Sequence, residues 1–177
     1  MDGKSVRRRT WSMQYIRYEA CMDAGRVEEE LSRLESEGFL TARQVRAVNR
    51  AWIASFFQTE LGRRLQTGID VLREFKFSLL ADGEMLQEEL AGEKLLLQGV
   101  VDCCLTEGEG LTVLDFKTDR VRPGGEAAAA ARYAVQVQTY GRALSRIFGR
   151  PVKALLLYFF QTGGLIRIPA EAGEEDG

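Results

Sequence analysis

Apolar residues recur at helical spacing through residues 11–68, and this pattern predicts helices there without any strand. The stripes predict helices over residues 11–23, 26–37, 41–56 and 59–65. Gly38 ends the second helix, and Thr41 forms a capping box with Gln44 that opens the third. The first part of the chain is therefore expected to be a helical layer.

Apolar runs with strand character begin after Gly68. They predict strands over residues 71–80, 152–160 and 165–168, and a central β-hairpin over residues 95–117. An alanine run at residues 127–131 starts a long helix whose inner face extends from Tyr133 to Phe148. The pattern divides the chain into a helical part (residues 1–68), a sheet-bearing core (69–170) and an acidic tail (171–177) that we expect to be disordered.

Two aspartates, Asp102 and Asp115, interrupt the apolar strands of the central hairpin. If Gly108 and Glu109 form a two-residue turn of type II′, residues whose numbers sum to 217 face each other, and Asp102 lies opposite Asp115. The Cβ atoms of such a pair are about 5 Å apart, where two negative charges repel by roughly 3 kcal/mol at an effective dielectric near 20. The pair therefore needs a cation between its members, or a shared proton.

Lys117 follows Asp115 by two residues, so strand alternation places both on one face, with Phe116 on the other. Carboxylate oxygens of this kind suit Mg²⁺ or Mn²⁺. A metal-activated water attacking a phosphodiester, with the Lys117 ammonium orienting it or offsetting developing charge, is the chemistry that such a group favours. The alternative is a solvated pair on an exposed sheet face, because isolated Asp-x-Lys tripeptides are common.

Composition adds few constraints. The length of 177 residues fits one domain, and 45% hydrophobic with 28% charged residues is ordinary for a globular protein. No apolar run approaches the length of a membrane span, and no signal peptide is evident. The three cysteines (Cys21, Cys103 and Cys104) lack metal-site spacing, which suggests packed thiols in a reducing, cytosolic setting.

The net charge of −2 shows no basic surplus of the kind that independent DNA-binding domains carry. Contact with DNA would have to come from local clusters of cations. The candidates are Arg7 to Arg9, Arg63 with Arg64, and Lys117 with Arg120 and Arg122. A module that receives its DNA from an attached motor would need little affinity of its own.

An ordered set of motifs carries a resemblance to a known family. These motifs are Gly99-Val-Val-Asp102, Leu114-Asp-Phe-Lys-Thr-Asp119, and Tyr133 with Gln136 and Tyr140, supported by residues 73–77 and 149–153. The set resembles the nuclease domain of RecB-type PD-(D/E)XK enzymes, particularly that of AddA (RexA) helicase-nucleases. The likeness covers residues 30–168.

This resemblance implies an α/β (α+β) fold with a restriction-endonuclease-like core, in which helices flank a mixed sheet beside an N-terminal helical layer. It implies a Mg²⁺-dependent DNA exonuclease domain, with Mn²⁺ able to substitute, in an AddAB-type complex of double-strand-break repair by recombination. The expected partners are DNA, the helicase part of the same polypeptide and an AddB-like protein. The expected location is the bacterial cytoplasm, away from any membrane.

The resemblance also assigns residues. It implies catalytic roles for Asp102, Asp115, Lys117, Gln136 and Glu74, metal ligation by Asp102, Asp115 and the carbonyl of Phe116, and DNA contacts from Tyr140, Thr118, Arg120 and Arg122. For two of these a structural role is the alternative. Glu74 could be an edge-strand charge facing water, and Gln136 a buried amide on the inner helix face that bonds to the backbone.

The chain departs from the family pattern at one place. RecB-type nucleases carry a metal-binding histidine on an early helix, whereas this chain contains no histidine and offers Met13 at the matching position. A thioether is a poor ligand for Mg²⁺. This favours, as an alternative, a catalytically weakened nuclease fold with a structural or DNA-guiding role. A stand-alone nuclease of restriction or phage type is a third possibility.

Overall fold

The structure is a computed structural model that describes residues 11–85 and 90–170. The basic cluster Arg7 to Arg9 and the acidic tail 171–177 lie outside the described residues. The chain forms two compact units. The first contains the residues up to Ile69 together with Phe116–Val121 and Phe159–Gly164, and the second contains Asp70–Asp115, Arg122–Tyr158 and the residues from Leu165 onward. The division into parts 1–68 and 69–170 with separate roles stays a prediction.

The first unit is built from short helices. They are α1 (Trp11–Tyr15), α2 (Ala24–Ser36), α3 (Ala42–Ala47), α4 (Arg50–Gln58) and α5 (Glu60–Gln66). Their core is aromatic: the ring of Phe56 lies 5.1 Å from that of Phe57 and 5.1 Å, edge to face, from that of Phe116. The capping box of Thr41 and Gln44 is confirmed, and Gly38 follows α2 with a φ of 77°.

Two of the predicted helices are wrong in extent. The helix over residues 11–23 is instead α1 followed by a 3₁₀ turn at Tyr18–Ala20, because the backbone N–H of Arg17 donates to Glu30 (2.9 Å) instead of to a helical carbonyl. The helix over residues 41–56 is split, because the side chain of Asn49 caps α4 by accepting a bond from Trp52 N at 3.2 Å. In both cases a polar side chain ends the helix, Glu30 from 13 residues away and Asn49 from the cap itself.

A mixed sheet of five strands carries most of the second unit, in the order β1-β2-β3-β4-β5. The strands are β1 (Val71–Asp82), β2 (Lys94–Glu107), β3 (Gly110–Lys117), β4 (Val152–Phe159) and β5 (Gly164–Ile168). Strand β2 pairs antiparallel with both β1 and β3. The predicted α+β class with a mixed sheet is confirmed.

Two helices connect β3 to β4: α6 (Glu126–Ala131) and α7 (Ala134–Phe148). The prediction of one uninterrupted helix is wrong, because the N–H groups of Arg132 and Tyr133 donate to carbonyls three residues back and so leave the α-helical ladder. Gly149 ends α7 with a φ of 63°, as expected. Within the part of the chain that is described, no helix combines the length and apolar character that a membrane span requires.

Candidate active site

The β2–β3 hairpin has the predicted turn and register. Gly108 and Glu109 form the turn, and the φ of 60° at Gly108 suits the first central position of type II′. The paired residues from Glu107–Gly110 to Cys103–Leu114 all sum to 217. The turn therefore sets which residues of the two strands face each other.

The ladder ends at the Cys103–Leu114 pair, and the same register continued by one row would bring Asp102 opposite Asp115. Rows of an antiparallel hairpin alternate between hydrogen-bonded and non-hydrogen-bonded pairs, and counting from the turn places the two aspartates on a non-hydrogen-bonded row. Side chains approach most closely on such rows. Asp102 is half-buried, whereas Asp115 is only 7% exposed and its Oδ2 is shielded from solvent.

Glu74 of β1 lies in a gap of the β1–β2 ladder, level with Asp102. The β1–β2 register pairs Arg73 with Cys103 and Phe75 with Val101, which leaves Glu74 opposite Asp102. The Glu74–Asp102 pair is absent from the ladder, and Glu74 has a φ of 48°. A left-handed conformation costs a residue with a Cβ roughly 1–2 kcal/mol, so β1 is strained at the acid row. We call Glu74, Asp102 and Asp115 the acid row.

The charges of the row influence one another. Burial raises the pKa of Glu74, the cations of Arg73 and Lys76 oppose this, and the carboxylate of Asp115 adds to the increase. Because this interaction requires proximity, Glu74 and Asp115 act on each other across the intervening strand. Arg73 and Lys76 are cations next to the site that the sequence interpretation missed.

Helix α7 contributes Tyr140 and Gln136. Burial raises the pKa of Tyr140, and the carboxylates of Asp115 and Asp102 raise it further, so its hydroxyl lies within electrostatic reach of both acids. Gln136 Nε2 donates a hydrogen bond of 3.0 Å to this hydroxyl. Asp102, Asp115, Gln136 and Tyr140 all belong to the second unit, and their grouping into one site stays a prediction.

The position of Tyr140 depends on a glycine. The rings of Tyr140 and Phe77 are 5.6 Å apart and meet edge to face, and both lie against Gly99 of β2. A Cβ at Gly99 would come within 2.8 Å of ring carbons of each aromatic residue. Gly99 therefore permits the close approach of Tyr140 to the sheet, a requirement that a glycine in the middle of a strand often signals.

The expectation that Gln136 is a buried amide is wrong, because its side chain is exposed. The neighbouring Val137 takes the fully buried position on α7. Successive helical residues point about 100° apart, so burial of Val137 turns Gln136 towards the flank of the helix. Its amide can consequently bond with Tyr140 and with solvent.

The remaining predicted site residues are distributed from the end of β3 into the loop that follows it. Phe116 and Lys117 complete β3 and belong to the first unit, where Phe116 is buried against Phe56 and Phe160. Thr118 is half-buried, and Arg120 and Arg122 are exposed. The parts that Lys117, the Phe116 carbonyl and these loop residues play in the site stay predictions.

The side chains of the row carry carboxylate oxygens, the ligand type that Mg²⁺ and Mn²⁺ prefer. Across residues 11–85 and 90–170, no three side chains of His, Cys, Asp or Glu are arranged so that they could hold a metal ion together. Mg²⁺ is commonly held by one or two carboxylates and completed by water and phosphate oxygens. Met13 is a buried core residue of the first unit.

The known families and proteins to which this chain is similar are nucleases. The model of the PD-(D/E)XK nuclease superfamily matches residues 10–175. The chain is also similar to proteins named as subunits of ATP-dependent helicase/nucleases. It is 39% identical to that of Pelotomaculum thermopropionicum over 158 residues, 36% to that of Desulforudis audaxviator over 154, and 32% to that of Bacillus mycoides over 166.

These matches cover most of this chain but little of the relatives. They include 85–88% of this chain and 12–13% of the length of the relatives. The similarity is therefore to one segment of a much longer helicase/nuclease polypeptide.

Proposed function

The chain belongs to the PD-(D/E)XK nuclease superfamily, and on this premise we propose that it is a metal-dependent deoxyribonuclease domain of an AddA-type helicase-nuclease. In this role it cuts, as an exonuclease, DNA strands that the helicase part of the same polypeptide delivers. The setting is double-strand-break repair by recombination in the bacterial cytoplasm, with an AddB-like partner protein. The lack of a basic surplus is consistent with a module to which DNA is delivered.

The acid row is the observation that carries this proposal. Asp102 and Asp115, with the carbonyl of Phe116, would hold a Mg²⁺ ion, for which Mn²⁺ can substitute, and Glu74 is the third acid beside them. A divalent ion bound there supplies a water of lowered pKa and neutralises charge on the phosphate. Three facing carboxylates without a cation repel one another, so the row is stabilised by binding one.

The other residues position the substrate and offset charge. Lys117 orients the attacking water or stabilises negative charge that develops on the phosphate. Gln136, held by its bond to Tyr140, and Tyr140 itself hold the strand to be cut. Thr118, Arg120 and Arg122 contact the DNA from the loop that follows β3. Fixed donors of this kind accelerate a reaction because they need no reorganisation as charge develops.

The test is digestion of linear single- and double-stranded DNA with Mg²⁺ or Mn²⁺. We expect cleavage by the parent chain, and a loss of about a hundredfold or more in Asp115→Asn, Asp102→Asn and Lys117→Ala, because each removes several kcal/mol of transition-state stabilisation. Glu109→Gln is the matched control, since it removes a carboxylate from the exposed turn of the same hairpin. Equal cleavage by the parent and Asp115→Asn would contradict the assignment.

Binding of Mn²⁺ provides a readout that does not depend on cleavage. Calorimetric titration should show one ion bound by the parent and by Glu109→Gln, and weaker or no binding by Asp102→Asn and Asp115→Asn. Binding that is unchanged in both aspartate variants would place the ion elsewhere.

A structural or DNA-guiding role is the second candidate. The absence of histidine from the chain favours it. It predicts DNA binding without cleavage at any concentration of Mg²⁺ or Mn²⁺. Metal-dependent cleavage lost in Asp115→Asn would exclude it.

A further inference from the structure

The break between α6 and α7 leaves an arginine and a tyrosine at the surface of the second unit. The N–H groups of Arg132 and Tyr133 donate to carbonyls three residues back, so these two residues lie between the helices. The Arg132 guanidinium lies over the Tyr133 ring, with its Cζ 6.0 Å from the ring centroid. Arg132 is exposed and Tyr133 is half-buried. We call these two residues the junction platform.

Tyr133 is fixed by α7. The N–H of Val137 donates to the carbonyl of Tyr133 at 3.0 Å, and Val137 is fully buried. Residues four apart share one face of a helix, so Tyr133 continues the buried stripe of α7 to the end where this stripe reaches solvent. A ring that is fixed before a ligand arrives loses little conformational entropy when the ligand stacks on it.

The same flank of α7 carries Gln136 and Tyr140, three and seven residues after Tyr133. At 3.6 residues per turn, the three side chains point within about 60° of one another, and Tyr133 and Tyr140 are about 10 Å apart along the helix axis. Gln136 donates to the hydroxyl of Tyr140 at 3.0 Å. A strand of DNA advances by about 3.4 Å per nucleotide, so the junction platform lies about three nucleotides from this hydrogen-bonded pair.

Helix α6, which leads to the platform, adds no exposed charge. Arg122 precedes this helix and is exposed, and its carbonyl accepts a bond of 2.8 Å from the N–H of Gly125. Within residues 11–85 and 90–170, neither Arg122 nor Arg132 forms an ion pair. The exposed residues of α6 are all small: Ala127, Ala128 and Ala131. The surface from Arg122 to Arg132 therefore offers two cations and no exposed carboxylate on the helix that would repel a phosphate.

We propose that the junction platform binds single-stranded DNA beside Gln136 and Tyr140. A base stacks on the ring of Tyr133, and the guanidinium of Arg132 binds the adjoining phosphate. A separation of 6.0 Å is at the outer limit of a cation–π contact, so Arg132 can leave the ring for a phosphate at little cost. Stacking tolerates any sequence because every base has a π-face. This inference rests on the proposed nuclease function and adds two residues to those that hold the strand.

The test of the ring measures binding of a fluorescent oligothymidylate to the full chain in EDTA, at several salt concentrations. Tyr133→Leu keeps an apolar side chain and removes the ring. It should weaken binding about tenfold at every salt concentration, because stacking neutralises no phosphate and leaves the slope of log K against log salt unchanged. Tyr133→Phe should keep the affinity of the parent. Tyr15→Leu is the matched control, since Tyr15 is a partly exposed tyrosine of the first unit.

The test of the cation uses the same titrations and has a different signature. Arg132→Gln should lower the salt slope by about 0.7, the contribution of one phosphate contact to single-strand binding, and should weaken binding several-fold at low salt. Arg132→Lys should restore both. Arg26→Gln is the control and should behave as the parent, because Arg26 is an exposed arginine already paired with Glu29 at 3.1 Å.

Cleavage kinetics give an independent reading. Tyr133→Leu and Arg132→Gln should raise KM for DNA and change kcat little, since the platform holds the strand away from the reacting phosphate. Thermal denaturation checks that each variant is folded, and the exposed substitution Arg132→Gln carries the test if Tyr133→Leu is not.

Two outcomes would overturn the inference while the proposed function stands. In the first, the parent binds and cuts DNA and both variants keep its affinity, salt slope and KM. In the second, Tyr133→Phe loses as much affinity as Tyr133→Leu, which would mean that the hydroxyl and not the ring is used. If the parent neither binds nor cuts DNA, the inference and the proposed function both fail.

Discussion

Each unit of the protein contains a glutamate withdrawn at least partly from water, and the pKa values of the two are shifted in opposite directions. In the first unit Glu30 is 2% exposed, and its two oxygens accept bonds from the guanidinium groups of Arg17 and Arg33 at distances from 2.6 to 3.3 Å. In the second unit Glu74 lies in a row with Asp102 and Asp115, on a strained backbone. The carboxylate of Glu30 is bonded to two guanidinium groups, whereas that of Glu74 is influenced by two cations, Arg73 and Lys76, and by the carboxylate of Asp115.

The pKa of Glu30 is lowered and that of Glu74 is raised. Burial alone would raise the pKa of both glutamates, but hydrogen bonds from Arg33 and Arg17 overcome it at Glu30 and lower that pKa to about 2. At Glu74 burial prevails, helped by Asp115 and only partly opposed by Arg73 and Lys76, and the pKa is raised. Whether cationic hydrogen-bond partners outweigh burial therefore decides the direction of each pKa shift. Glu30 joins two segments of the first unit, whereas Glu74 is kept at a cost in stability.

The largest expected effect is that of Glu30→Gln on folding stability. The substitution removes charge-assisted bonds to two arginines and should lower the free energy of unfolding by about 2–3 kcal/mol at pH 7. The estimate stays below that for a fully buried pair because the side chains of Arg17 and Arg33 are 55% and 24% exposed and remain solvated. Urea denaturation of the parent and the variant measures the difference.

Acid should remove this advantage. The folded pKa of Glu30, about 2, lies below its usual 4.5, so the stabilisation is complete above pH 4.5 and is lost as the pH falls towards 2. Glu29→Gln on the same helix is the control, because its pair with Arg26 is exposed and should contribute less than about 0.5 kcal/mol. Equal loss in both variants would show that Glu30 is an ordinary surface charge.

Gly99→Ala tests how closely the second unit packs Tyr140. The added methyl group would meet the rings of Tyr140 and Phe77 at 2.8 Å, and the displacement should cost about 1–2 kcal/mol of stability. Thermal denaturation measures this cost. Cleavage should fall as well, because Tyr140 and its bond to Gln136 move.

The double variant Gly99→Ala with Tyr140→Ala is the control for this clash. Removing the ring removes part of the steric conflict, so the two effects should be less than additive. Strictly additive losses would mean that Gly99 and Tyr140 act separately.

The sequence predicted the register of the β2–β3 hairpin well because short-range rules determine it. A two-residue turn at Gly108 and Glu109 allows one register, and the pairs from Glu107–Gly110 to Cys103–Leu114 have it; the facing of Asp102 and Asp115 stays a prediction. The capping box at Thr41 was predictable for the same reason, since its partners are three residues apart. Where the interacting groups are close in sequence, the sequence pattern predicts the local geometry that the structure has.

The predictions that failed concern features that depend on contacts between residues distant in sequence. The first predicted helix breaks because Glu30, 13 positions away, binds the backbone of Arg17. Nothing around Glu74 predicts a left-handed glutamate inside a strand, and neither ladder pairs Asp102, which lies in the gap of the β1–β2 ladder and one residue beyond the end of the β2–β3 ladder.

The smallest expected effect has the opposite sign to that of Glu30 and concerns Glu74→Gly. Glycine adopts the φ of 48° without strain, and the change also removes a carboxylate beside Asp115, so the metal-free protein should gain about 1 kcal/mol in spite of the entropy that glycine adds to the unfolded chain. Cleavage should fall, because the third acid is lost. Glu74→Gln, which keeps the backbone strain, should gain less.

The pH dependence of stability at Glu74 is the inverse of that at Glu30. The folded pKa of Glu74 is raised, so the parent should lose stability relative to both variants as the pH rises above about 4.5. Thermal denaturation in EDTA across this range measures the gain, and a loss of stability in Glu74→Gly at neutral pH would show that Glu74 supports the fold as Glu30 does.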